Sequence, residues 1–164
     1  MRHVLSILVD NQAGVLSRVA GLFSRRGYNI DSLSVGETED PALSRITVVV
    51  RGDDDILEQI GKQVKKLVDC RELTELIPES SVCRELVLLK ISAKASERSE
   101  IAGIVEIFRA NIIDVSAATI TVEITGDENK ISAFMELMQP YGILETARTG
   151  ITGLQRGITV LNIN

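Results

Sequence analysis

The sequence predicts an α+β protein built from two ferredoxin-like βαββαβ domains, with antiparallel sheets that dimerisation extends or covers. Apolar residues follow strand and helix periodicities in the order βαββαβ, and the same order then repeats. A polar segment, PESSV at residues 78–82, separates the two series. The 164 residues suit two such units of about 75 residues each better than one larger domain. We therefore predict domains at residues 1–78 and 79–164.

The first half contains four strand-like and two helix-like segments. Strands rich in β-branched residues are predicted at residues 3–9, 28–35, 43–50 and 71–77. Apolar residues recur at helical spacing after residue 14 and again after residue 55. Gly27 ends the first helix, and the acidic run at residues 53–55 begins the second.

The second half repeats this order with almost no sequence identity to the first. Strands are predicted at residues 85–93, 112–116, 119–125 and 143–147, with helices around residues 101–108 and 126–138. One register mark survives: Phe23 precedes Asn29 and Ile30 in the first half, and Phe108 precedes Asn111 and Ile112 in the second. The two halves are therefore predicted to share one fold.

Both faces of the predicted sheets carry apolar residues. Leu86 and Leu88 share one face of their strand, whereas Val87, Leu89 and Ile91 occupy the other. The helices of such a unit cover only one face, and the other face ordinarily meets water and is polar. We therefore expect a second copy or a larger partner to cover the remaining face, and predict an obligate association.

Composition excludes several classes of function. The net charge is −5, and only 3% of residues are aromatic, so we expect no nucleic-acid partner. No apolar run approaches the length of a membrane span or a signal-peptide core, which predicts a cytoplasmic protein without a membrane partner. Cys70 and Cys83 lack metal-ligand spacing and are expected to stay reduced.

The sequence contains no catalytic constellation and no metal site. His3, the single histidine, has no third group to complete a nucleophile–base arrangement with Ser6 or Cys70. The acidic run at residues 53–55 could hold a divalent cation, but acidic residues are also normal in the first turn of a helix. We therefore expect a binding protein that has no catalytic residue and no cofactor of its own.

The strongest candidate binding feature lies between the first strand and the first helix. A helix N-terminus attracts a carboxylate, Gly14 lets a ligand approach the backbone, and the Asn11 amide can bond a ligand or cap the helix. With apolar neighbours this predicts a site for a small zwitterion with an aliphatic side chain, formed by Asn11, Gly14, Val15, Leu16, Asn29 and Ile30. An ordinary capped turn is the alternative. The equivalent position in the second half, residues 96–99, lacks a glycine and contains Glu97, which would repel a carboxylate.

Three segments of the first half resemble the regulatory small subunits of acetolactate synthase, also called acetohydroxyacid synthase. They are N-x-x-G-x-L-S-R-V from Asn11, LFSRRGYNIDSL from Leu22 and LSRIT from Leu43. The likeness continues at lower identity through FR-x-N-I-I-D-V from Phe108 and E-x-A-R-T-G-I-T-G-L-x-R-G from Glu145. It thus covers essentially the whole chain.

The resemblance implies an N-terminal ACT domain and a C-terminal ACT-like domain, in a homodimer that binds valine or another branched-chain amino acid at its interface. It further implies that the dimer activates a catalytic large subunit and confers valine feedback inhibition on it. Thiamine diphosphate, Mg and FAD are expected in that partner only. The family's ligand positions match Asn11, Gly14 and Asn29, and Gln59 matches a position linked to valine sensitivity. The apolar tail at residues 158–164 departs from the charged tails of bacterial members. The alternative is a stand-alone ACT-type amino-acid sensor that acts on another enzyme.

Overall fold

A computed structural model describes residues 1–162 and divides the chain into two compact units. The first unit comprises Met1–Cys83 together with the residues from Ile151 onward, and the second comprises Arg84–Gly150. The sequence-based boundary instead placed all of residues 79–164 in the second domain. The two divisions differ because the chain returns to the first unit after residue 150. Of the predicted apolar tail, residues 163 and 164 lie outside the described part of the chain.

The first unit is a four-stranded antiparallel sheet with two helices, in the predicted βαββαβ order. Its elements are β1 (Arg2–Asp10), α1 (Val15–Arg25), β2 (Ile30–Glu37), β3 (Leu43–Arg51), α2 (Asp54–Lys65) and β4 (Cys70–Glu75). The strands are ordered β2-β3-β1-β4, so β2 and β4 are edge strands.

The second unit repeats the arrangement. Its elements are β5 (Ser81–Ser92), α3 (Arg98–Ile107), β6 (Asn111–Val115), β7 (Thr119–Gly126), α4 (Glu128–Met138) and β8 (Ile143–Arg148). The strands are ordered β6-β7-β5-β8, and the first three residues of β5 belong to the first unit. The predicted fold class is confirmed in both halves. A short further strand, β9 (Thr152–Gln155), pairs with β5 and was not predicted.

Acidic caps explain where α2 and α4 begin. The Asp53 carboxylate accepts a hydrogen bond from the Ile56 N–H at 2.9 Å, and Asp127 accepts one from the Lys130 N–H at 2.9 Å. The acidic run at residues 53–55 therefore satisfies the first turn of α2. No group of three or more His, Cys, Asp or Glu side chains within residues 1–162 is arranged to hold a metal ion.

Each unit has its own apolar core between its sheet and its helices. In the first unit Ile7 and Val48 of the sheet pack in one cluster with Phe23 of α1, and all three are at most 1% exposed. In the second unit Phe108 meets Phe134 edge to face, with ring centroids 5.4 Å apart. The helical apolar stripes and the strand alternation were both visible in the sequence.

The helix-free face of the first sheet is buried within a single chain. Ser6, Thr47 and Val49 lie on that face and are at most 1% exposed. The segment after residue 150 contributes to the cover, since the Ile151 N–H donates to Ser32 Oγ at 3.5 Å. Contrary to expectation, this face needs no second copy to become buried. In the second unit Leu88 on the corresponding face is 37% exposed.

Gly153 of β9 packs closely against the first residues of β5. A Cβ added there would lie 2.7 Å from the Val82 carbonyl oxygen and 2.7 Å from Cys83 Sγ. Because the carbonyl belongs to the backbone, Gly153→Ala is expected to destabilise the protein by about 1–3 kcal/mol in urea unfolding. Gly61→Ala is the matched control, because its Cβ would meet no atom within 4 Å. Because Gly61 lies inside helix α2, its replacement by alanine should raise the free energy of unfolding by about 0.5–1 kcal/mol. Equal changes in the free energy of unfolding at Gly153 and Gly61 would contradict the close packing of β9.

No helix within residues 1–162 combines the length and apolar character needed to cross a membrane.

Candidate functional site

The loop that follows β1 is anchored to the β2–β3 turn by Asn11. The Asn11 N–H donates to the Ala42 carbonyl at 2.8 Å, and its side-chain Nδ2 donates to the Pro41 carbonyl at 2.9 Å. Asn11 therefore does not cap α1, which was one of its two predicted roles. Its side chain is exposed, so the amide oxygen remains accessible to a ligand.

Gly14 immediately precedes α1 and adopts a left-handed backbone conformation, with φ of 85°. Among the described residues, 1–162, no side chain caps the helix there, and its first turn contains no acidic residue. By contrast, α2 and α4 are capped by aspartates, and α3 carries Glu100 in its first turn. The start of α1 therefore presents a positive helix end that no carboxylate of its own first turn neutralises.

Arg18 adds a second positive group at this position. A Cβ on Gly14 would lie 3.0 Å from Arg18 Nη1, so the guanidinium lies directly beside the glycine. Arg18 Nε donates to Asp69 Oδ2 at 2.6 Å, and this bond raises the pKa of the guanidinium further above its ordinary value. The carboxylate of Asp69 is largely buried and fixes the guanidinium. Sequence reasoning missed Arg18, although its position one helical turn after Gly14 places both on one face of α1.

The predicted apolar lining divides between core and surface. Val15 is 2% exposed and belongs to the core cluster, so its side chain packs inward. Leu16 is 42% exposed at the start of α1, and Ile30 is half-buried against the core. Asn29 is exposed, and its Nδ2 donates to Asp31 Oδ1 at 2.9 Å. Leu16, Asn29 and Ile30 are thus accessible at the surface.

Within one chain the two parts of the predicted site lie at opposite ends of the sheet. In the register of β3, Leu43 pairs with Asp10 at the end of β1, whereas Val50 pairs with Ile30 at the start of β2. The seven residue-to-residue steps from Leu43 to Val50 span about 23 Å of strand. Asn11 and Gly14 therefore form one cluster, and Asn29 and Ile30 form another that is far from it.

Gln59, the position singled out by resemblance, lies in α2 near the second cluster. Its Oε1 accepts a hydrogen bond from the Tyr28 hydroxyl at 3.1 Å, and Tyr28 directly precedes Asn29. This contact places Gln59 beside the segment that positions Asn29. Its structural role is therefore to hold that segment.

His3 and Cys70 do not form a catalytic pair. Both ring nitrogens of His3 face oxygen atoms, with Nδ1 2.7 Å from Glu75 Oε1 and Nε2 3.3 Å from the Gly52 carbonyl oxygen. Half-burial raises the pKa of the Cys70 thiol, which disfavours the reactive thiolate. The contacts of His3 and the raised pKa of Cys70 therefore favour structural roles for both residues.

Two family models match the chain. One, described as the small subunit of acetolactate synthase, matches residues 84–157. The other, described as an AHAS small subunit-like ACT domain, matches residues 5–72. Together they account for both βαββαβ units.

Individual relatives match nearly the full length of the chain. A protein of Archaeoglobus fulgidus named "Probable acetolactate synthase small subunit" is 53% identical, over 96% of this chain and 98% of its own length. The acetolactate synthase small subunit of Bacillus subtilis is 48% identical, over 96% and 92% of the two chains. The crystal structure of the acetolactate synthase small subunit from Thermotoga maritima matches with a TM-score of 0.89 and 45% identity, covering 97% of this chain and 99% of that one. The chain therefore belongs to the family of acetolactate synthase small subunits and carries an ACT domain in its first half.

Proposed function

We propose that this chain is the regulatory subunit of acetolactate synthase, which activates a thiamine-diphosphate-dependent catalytic subunit and makes it sensitive to valine or another branched-chain amino acid. The observation that carries the effector site is the uncapped start of α1, where Gly14 and Arg18 lie side by side. The chain itself acts without a cofactor, and thiamine diphosphate, Mg and FAD belong to the catalytic partner.

The chemistry of the Gly14 cluster suits the carboxylate of an amino acid. The positive end of α1 favours a negative group at this place. Arg18 is paired with Asp69 through Nε, and its Nη1, which lies beside Gly14, can donate a hydrogen bond to that group. The exposed Leu16 offers an aliphatic surface, and the Asn11 amide oxygen can accept a hydrogen bond from the ligand's ammonium group. A small aliphatic amino acid satisfies all of these groups together.

A homodimer formed along β2 would complete the site. Within residues 1–162 this edge strand has no neighbouring strand on one side, and its Leu33 and Val35 are 36% and 45% exposed. If two copies pair antiparallel through β2, the start of one β2 lies beside the end of the other. The Asn29 end of the partner then approaches the end of the sheet that carries Gly14, because Glu37 and Asp10 lie at that end.

In this arrangement the effector links two protomers. A ligand that contacts Gly14 of one chain and Asn29 of the other stabilises the dimer geometry in which both are correctly placed. If the dimer contacts the catalytic subunit differently in this geometry, the effector inhibits the enzyme by increasing the fraction of dimers that adopt it. A coupling free energy of about 1–3 kcal/mol is typical for such regulation.

Reconstitution with a purified catalytic subunit tests the proposal. We expect the chain to have no acetolactate synthase activity alone, to increase the activity of the catalytic subunit several-fold, and to make that activity decrease on addition of valine. Leucine and isoleucine added separately identify the preferred effector. If adding the chain leaves the activity of the catalytic subunit unchanged, the result would contradict the proposal and favour the stand-alone amino-acid sensor.

A further inference from the structure

A cavity of about 230 Å³ lies within the first unit, on the helix-free side of β2. Strand β2, the turn that follows it and strand β9 form its walls. Its lining includes Ser34, Gly36, Glu39, Arg45, Thr152 and Leu154. The volume is below the about 300–1,000 Å³ typical of pockets for drug-sized ligands, so its ligand must be small.

Arg45 is the cationic group of this cavity. Its Nη1 donates to Ser6 Oγ at 2.6 Å, and Ser6 is completely buried. Within residues 1–162 no carboxylate lies within ion-pair distance of Arg45, whereas Arg71 and Arg148 are each held by a carboxylate in a two-point contact. A half-buried guanidinium has five N–H donors, and one hydrogen bond leaves most of them available for an anionic ligand.

The other lining residues restrict the ligand further. Glu37 and Glu39 are both among the lining residues and carry negative charge, which disfavours a phosphate-rich anion and favours a ligand that also has a cationic group. Val35 and Leu154 add apolar surface. From Arg45, the acidic residues and the small volume we infer that the cavity binds a small zwitterion of amino-acid size, with its carboxylate on Arg45 and its ammonium group towards Glu39.

This site is separate from the effector site at Gly14. Ile46 belongs to the core that faces α1 and α2, so its neighbour Arg45 lies on the opposite face of β3. Thr152 and Leu154 come from β9, the segment that returns to the first unit after residue 150. A bound zwitterion would therefore fasten β9 to β2 without competing with an amino acid at the start of α1.

Amide chemical shifts of the full chain distinguish the two sites directly. We expect titration with L-leucine or L-valine to shift the ¹H–¹⁵N signals of Gly36 and Thr152, with a saturation midpoint different from that of any change at Gly14. Isovalerate and isobutylamine, which each carry one of the two charges, should shift Gly36 and Thr152 at least tenfold more weakly. Arg45→Gln should weaken the amino-acid response at these two amides at least tenfold.

Two further variants keep the test decisive. Gly36→Leu fills the cavity beside Arg45, its partner in the register of β3, and leaves the charge of Arg45 in place. A Cβ at Gly36 meets no described atom within 4 Å, so the variant is expected to fold. Arg25→Gln removes an equal charge at the end of α1 and should change nothing at Gly36. Gly36 and Thr152 signals that do not respond to amino acids overturn the inference. So does a Thr152 signal that responds in Arg45→Gln and in Gly36→Leu as strongly as it does in the original chain. Failure of the proposed effector function would appear separately, in the catalytic assay and at Gly14.

Discussion

Replacing Gly14 by aspartate is expected to abolish inhibition by valine while leaving activation of the catalytic subunit largely intact. The new carboxylate would occupy the positive start of α1 beside Arg18, where the carboxylate of the effector is proposed to bind. Two negative groups at one anion site repel each other, so the ligand is excluded. The substitution also places a side chain on a backbone with φ of 85°, at a local cost of about 1–2 kcal/mol. Activity of the reconstituted enzyme measured against valine concentration gives the result.

Gly14→Ala separates the charge from the backbone strain. Alanine imposes the same left-handed conformation and brings its Cβ to 3.0 Å from Arg18 Nη1, but adds no charge. Because the end of an arginine side chain can move, we expect valine inhibition to be weakened in this variant but still measurable. Inhibition of Gly14→Asp equal to that of the original chain would show that the effector binds elsewhere.

Mixing two variants that each fail to bind the effector is expected to restore part of the effector binding. Asn29→Ala and Gly14→Asp each damage a different part of the site, so a homodimer of either variant has no complete site. In a mixed dimer, Gly14 of the first variant meets Asn29 of the second, and one of the two sites is intact. Random association makes about half of the dimers mixed, which restores about a quarter of the original sites. Calorimetric titration of the co-expressed chains with valine measures this fraction.

The matched control combines two variants of the same cluster. Asn11→Ala and Gly14→Asp both affect residues at the end of β1, so no mixed dimer contains a complete site. Their mixture should bind no valine above the level of each variant alone. Restoration in this control, or failure to restore binding with the Asn29→Ala pair, would contradict a site shared between protomers.

Local patterns made the fold predictable from the sequence. The 3.6-residue spacing in α1 and the β-branched residues of β3 are both typical of their observed structures, and the order βαββαβ follows from them. The four-residue strand β9 was missed because its alternation is too short to stand out around Gly153. Its partner lies far away in the sequence, and no local periodicity encodes such a pairing.

The candidate site was predictable only in part. Gly14 and Asn11 stand out because glycine and asparagine are typical of turns, and Gly14 does adopt the left-handed conformation that glycine tolerates. Arg18 resembles any exposed helical arginine until its bond to Asp69, which is 51 positions away, fixes its guanidinium beside Gly14. The separation of Asn29 from Gly14 likewise depends on the register of β2 against β3, which only the assembled sheet defines.

The distance between Gly14 and Asn29 within one chain has a further consequence for the proposed sensor. A pocket shared by two molecules exists only while they are associated, so the apparent affinity for the effector depends on how much of the protein is present. The dependence is reciprocal, because an effector that binds only the dimer also lowers the protein concentration at which dimers persist. Dilution alone would therefore release the synthase from feedback, and the amount of small subunit that a cell makes would set the amino-acid level to which the pathway responds.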